Sequence, residues 1–125
     1  MIEKLHAKPY DLEERTLLFA KAVIEFVGEV PKSLANNEIA RQLVRSAGSV
    51  GANYVEANEA LSKKDFLLRL KICRKEAKES SYWIKLLTVP DSARVEQATL
   101  LQESTEMVKI FSSIIEKTAK RPGSV

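Results

Sequence analysis

Lys64, Leu68, Lys71, Lys75, Lys78, Tyr82 and Lys85 follow one another at alternating steps of four and three residues. On a helix that spacing collects them into one stripe, with Arg74 on its flank. Cations aligned along a helix can follow a phosphate backbone and release its counterions. Tyr82 adds an aromatic face on which a base can stack. The same stripe is also what an ordinary solvated outer face looks like, and Glu76 and Glu79 lie nearby as i,i+4 partners for neighbouring charges. Both readings stand at this level.

Other chemistry finds less support. Glu56, Asn58 and Glu59 raise the question of a metal site inside a bundle, but di-metal bundles add Glu-x-x-His pairs. The chain has one histidine, His6, outside the expected helices. Arg45 stands eleven residues before Glu56, close to three turns, and so shares its helix face; a buried or interfacial Arg–Glu interaction, within or between chains, is expected rather than a ligand set. Cys73 falls on an apolar seam and reads as an inert core thiol, with no histidine base to activate it. The serines have no histidine partner and no G-x-S-x-G sequence. Trp83 and Tyr54 read as core or subunit-interface aromatics. Gly48 and Gly51 match neither phosphate-binding glycine pattern, so close helix packing is expected there. No enzyme, cofactor or metal is expected.

Four helices must position these residues. Asp11 is a candidate N-cap, followed by Glu13 and Glu14 in the first turn. The first helix, about 11–28, carries the seam Leu12, Thr16, Phe19, Val23 and Phe26. Beside it runs a second stripe, Leu17, Ala20, Ile24 and Val27, more apolar surface than one bundle core needs. A partner subunit is expected on it. The second helix, about 36–61, is capped by Asn36 or Asn37. The third, about 63–87, starts at the capping sequence Ser62 to Asp65 and has the seam Phe66, Leu70, Cys73, Ala77, Ser80, Ile84 and Leu87. The turn Thr88 to Asp91 is short enough to require antiparallel neighbours. The fourth helix, about 92–119, has the expected seam Ala98, Leu101, Thr105, Val108, Ser112 and Ile115. Leu100, Met107, Phe111 and Ile114 adjoin it, and 120–125 is a short polar tail. The fold class is all-α, an antiparallel up-and-down four-helix bundle in a single domain, 1–125.

The bulk numbers agree with this. The chain has 125 residues, 45% of them hydrophobic and 30% charged, with few aromatics. One cysteine excludes an internal disulfide. Met1 to Tyr10 lacks an apolar signal-peptide core, and no apolar run is long enough to span a membrane, so a cytoplasmic protein is expected. Net charge is only +3, but Ser62 to Leu87 holds eight basic and three acidic residues, a local +5. The excess sits on the helix that carries the stripe.

The segment Arg45-Ser46-Ala47-Gly48-Ser49-Val50-Gly51-Ala52-Asn53-Tyr54-Val55-Glu56-Ala57-Asn58-Glu59-Ala60, with Ser62 to Phe66 and Leu70 to Ser80, resembles the bacterial four-helix-bundle family called 23S rRNA intervening-sequence proteins. The likeness runs from about 11 to 118. It implies a small bacterial bundle protein. Related to that family is the accessory variability protein of diversity-generating retroelements, which forms a barrel-like homopentamer with a basic surface and associates with a reverse transcriptase and nucleic acid. The resemblance thus implies a homo-oligomer, a pentamer in that relative, with RNA or DNA as a partner. The function expected is an accessory or scaffold protein binding nucleic acid nonspecifically through Lys64, Lys71, Arg74, Lys75, Lys78, Tyr82 and Lys85. The alternative is a scaffold for an acidic protein partner.

Overall fold

The structure, a computed structural model, describes residues 11–122; His6 and the last three residues of the tail lie outside them. The Asp11 carboxylate accepts the Glu14 N–H at 3.1 Å and starts α1, Leu12–Glu29. Glu13 and Glu14 then sit where the helix dipole favours acids. The expected seam residues Leu12, Thr16, Phe19, Val23 and Phe26 are all buried.

The second helix, α2, spans Leu34–Asn58, and its cap corrects the expectation. Ser33, not Asn36 or Asn37, is the N-cap, accepting the Asn36 N–H at 3.0 Å. Asn36 is buried for another purpose. Its Nδ2 donates to Pro31 O and Thr88 O at 2.9 Å each, and its Oδ1 accepts from Thr88 N at 3.1 Å. One amide therefore ties the α1–α2 connection to the one after α3. The expected end at 61 is also too late, since the helix closes at Glu59 to leave Ser62 free as the next cap.

Ser62 accepts the Asp65 N–H at 3.1 Å and opens α3, Lys63–Leu86. Its seam from Leu70 to Leu87 is buried, with Phe66 partly so. A 3-10 turn, Asp91–Ala93, precedes α4, Arg94–Lys120, so the last helix starts two residues later than expected. The α4 phase is a larger correction. Ala98 and Thr105 face solvent, and the core side is Leu100, Glu103, Ser104, Met107, Phe111 and Ile115. Two apolar stripes adjoin on this helix. The one that lets Glu103 reach Arg15 of α1 and Ser104 reach Ser81 of α3 is the one buried.

Packing follows chain order: α1 lies on α2, α2 on α3 and α3 on α4, while α4 meets α1 less extensively. The molecule is an all-α four-helix bundle, and no strand occurs among the described residues. Hydroxyls allow close helix approach at two crossings, where Ser46 Oγ lies 2.9 Å from Ser80 Oγ and Ser81 Oγ 2.6 Å from Ser104 Oγ. Among the described residues no buried side-chain polar atom lacks a hydrogen-bond partner.

The two glycines of α2 turn out differently. A Cβ on Gly51 would stand 3.0 Å from Thr16 Oγ1, and that hydroxyl is held by donating to Leu12 O at 2.7 Å. Gly51 is therefore where α1 crosses closely. Gly48 is a correction: a Cβ there would meet nothing within 4 Å, because the position faces outward.

Candidate nucleic-acid interface

The α3 seam from Leu70 to Leu87 is sequestered between α2 and α4, which turns the opposite side of α3 outward. On that side Lys64, Lys71, Lys75, Lys78, Tyr82 and Lys85 are all exposed. They share an arc of about 80°, and at 1.5 Å rise per residue they run along about 31 Å of helix. None of the five lysines forms an ion pair among the described residues.

Two of the three α3 carboxylates point away from the stripe, while Asp65 stays exposed in its first turn beside Lys64 and Lys71. Glu76 is buried and Glu79 half-buried, and both bind Arg45 of α2; the Nη2–Glu76 Oε1 distance is 3.3 Å. Glu79 also accepts the Trp83 indole N–H at 3.1 Å. Within the chain, Arg45 forms an Arg–Glu interaction with Glu76 and Glu79 of α3 rather than with Glu56. Glu56 stays in solvent one long helix stretch away, whereas two carboxylates of α3 lie directly across the α2–α3 crossing.

Arg74 departs from the stripe. It is half-buried and leans toward α4, its Nη1 3.5 Å from Ser112 Oγ. Tyr82 stays in place, 57% exposed, with its ring edge-to-face on Trp83 at 5.0 Å and 74°. Leu68 is likewise 55% exposed. Around it a shallow cleft of about 430 Å³ is lined by Ser62, Lys64, Asp65, Leu67, Leu68 and Lys71.

A family model described as 23S rRNA-intervening sequence protein matches residues 10–113. The chain belongs to this family. The match takes in all of α1 to α3, hence the whole stripe, and most of α4. A crystal structure from Bacteroides thetaiotaomicron, described as a protein with unknown function from the S23 ribosomal protein family, is similar at 32% identity and a TM-score of 0.66. The similarity covers 83% of this chain and 97% of that one. No curated protein matches the chain.

A second surface of this family member lies on the far side of the bundle. Leu17 and Ile24 of α1 are 52% and 56% exposed, so half of the second stripe is uncovered. Between α1 and α2 a groove of about 720 Å³ has Leu17, Ala20, Gly48, Ala52 and Val55 in its apolar lining. Asp11, Glu13 and Glu14 stand at one end of it.

Among the remaining titratable groups, burial pushes the Cys73 thiol up to about 12, and its Sγ lies 3.4 Å from Val50 O. Burial also raises Glu96, helped by the charges of Glu29 and Glu25. Tyr54 packs on Phe111 at 6.1 Å, and Trp83 is partly buried against the core, as expected of helix aromatics. No group of three or more His, Cys, Asp or Glu side chains gathers in metal-binding geometry among the described residues. None of the described helices is long and apolar enough to cross a membrane.

Sequence reasoning missed one pair. Arg15 and Glu103, both buried, join α1 to α4. The signal was present: Arg15 occupies the core phase between Leu12 and Phe19, and Glu103 the core phase between Leu100 and Met107. Opposite charges at apolar-face positions of two helices point to each other.

Proposed function

We propose that this protein is a non-enzymatic, homo-oligomeric accessory protein of the cytoplasm that binds RNA or DNA nonspecifically through α3. One observation carries the reading. Among the described residues, five lysines stand without an ion pair along a single helix face while the two nearest core-side carboxylates, Glu76 and Glu79, are committed to Arg45. A solvated surface face gains from pairing its lysines with i,i+4 acids; here that compensation is withdrawn, and the field of the stripe is left to an outside polyanion. Lys64, Lys71, Lys75, Lys78 and Lys85 contact phosphates, Tyr82 lies among them, and Arg74 supports them from the flank.

Self-association uses the α1 face, where Leu17 and Ile24 await cover. Repetition of the stripe in a ring, a pentamer in the relative named above, multiplies a weak single site by avidity when one strand spans the subunits.

The test is equilibrium binding of labelled RNA and DNA by the protein and by Lys71→Glu/Lys75→Glu, with circular dichroism to show that the variant is folded. Binding lost in the folded variant supports the reading; unchanged binding sinks it. A co-purified acidic protein lost on the same reversal, without RNA or DNA affinity, would establish the scaffold alternative instead. Light scattering on the protein and on Leu17→Glu/Ile24→Glu tests assembly.

A further inference from the structure

We infer that the α3 stripe takes unpaired nucleotides, with bases turned toward the helix at two apolar stations, so that its ligand is a single strand and not a duplex. The inference rests on the nucleic-acid reading above and deepens it.

The stripe is not a row of cations alone. Leu68 lies four residues after Lys64 and three before Lys71, and Tyr82 lies four after Lys78 and three before Lys85. Each exposed apolar side chain is thus bracketed by lysines one turn to either side. The two triplets are fourteen residues apart, about 21 Å along the helix and within about 40° of the same direction. A duplex offers a row of phosphates to such a face and keeps its bases stacked inside. It would press Leu68 and Tyr82 against charged backbone and gain nothing from either. A single strand places phosphates on the lysines and π-faces on the apolar groups between them.

The surroundings of both stations favour a base. The cleft at Leu68 has Leu67 and Leu68 as apolar lining, lysines on two sides and Asp65 in its wall. A phosphate entering it would face that carboxylate, whereas a base edge brings N–H donors to it. At the other station the Tyr82 ring is set by its edge-to-face contact with Trp83, whose indole N–H is tied to Glu79 at 3.1 Å. An exposed ring already held in one orientation loses less freedom when a base stacks on it.

Trp83 is the only tryptophan, so its emission reports on the Tyr82 station. The experiment uses a ten-nucleotide probe, since a stacked strand advancing about 3.4 Å per nucleotide then covers the stripe. Affinities at low salt are compared for single-stranded RNA, single-stranded DNA, the matching duplexes, and an abasic sugar-phosphate strand of equal charge. Both single strands are expected to bind about tenfold more tightly than the duplex and the abasic strand, and to change Trp83 emission. Tyr82→Ala should remove most of that preference, and Tyr82→Phe should keep it. Equal affinity for all probes, lost on Lys71→Glu/Lys75→Glu, would overturn this inference and leave the proposed function standing. Preference for duplex would overturn it likewise. Absence of binding to every probe would overturn both.

Discussion

Arg15 on α1 and Glu103 on α4 meet in a two-pronged ion pair, Nε to Oε2 at 2.7 Å and Nη2 to Oε1 at 2.8 Å. The side chains are 4% and 0% exposed. A further bond from Arg15 Nη2 reaches Glu106 at 2.8 Å. The hydrogen bonds that the guanidinium donates to Glu103, with help from Glu106, hold it above its ordinary range. It bridges the helix pair with the less extensive packing, which is where one strong contact matters most.

Arg15→Met strands the buried Glu103 carboxylate and is expected to cost about 3–5 kcal/mol in urea unfolding. Arg15→Met/Glu103→Leu should recover most of the loss, because an apolar pair of similar volume carries no desolvation penalty. A double variant as unstable as the single one would contradict this account.

The two α2 glycines should respond in opposite ways. Gly48→Ala adds a methyl group to open space and gains helix propensity, raising stability by about 1 kcal/mol. Gly51→Ala presses on the hydrogen-bonded Thr16 and should lower it by about 1 kcal/mol, the overpacking exceeding the propensity gain. Thermal melts of the pair measure both signs.

Asn36→Ala removes three hydrogen bonds that join the two connections at one end of the bundle. A loss of about 2–3 kcal/mol is expected, since Pro31 O, Thr88 O and Thr88 N lose their amide partner together. Hydrogen exchange should show faster opening of Thr88 in particular.

Cys73 is kept neutral by burial, its thiol raised from 9.0 to about 12. Native protein should therefore resist a thiol reagent at pH 8 and react fully once unfolded. The folded value lies above the unfolded one, so stability is undiminished below about pH 9 and falls as pH rises toward about 12. Cys73→Ala should flatten that fall, read from urea midpoints across the window.

Five phosphate contacts on a single strand imply a slope near −3.5 for log affinity against log salt concentration, about 0.7 per contact. Lys75→Ala should make the slope shallower by about 0.7, and Tyr82→Ala should weaken binding without changing it.

Local chemistry alone determined the helical class, the α1 and α3 seams, the Asp11 and Ser62 caps and the exposed lysine stripe. Each depends on a residue's position relative to neighbours three or four places away, and that relation survives any arrangement of the helices. Tertiary structure decided what depends on another helix. Two apolar stripes on α4 competed, and Arg15 and Ser81 selected the one holding Glu103 and Ser104. Arg45 shares a helix face with Glu56, yet the carboxylates within its reach are Glu76 and Glu79 across the crossing. Asn36 offered a cap and became a clamp once Thr88 was brought beside it. Gly51 touches α1 and Gly48 does not, though they stand only three positions apart. Helix periodicity sets which side chains share a face, while the rotation of each helix and the partner of each charge are set by the surface it meets.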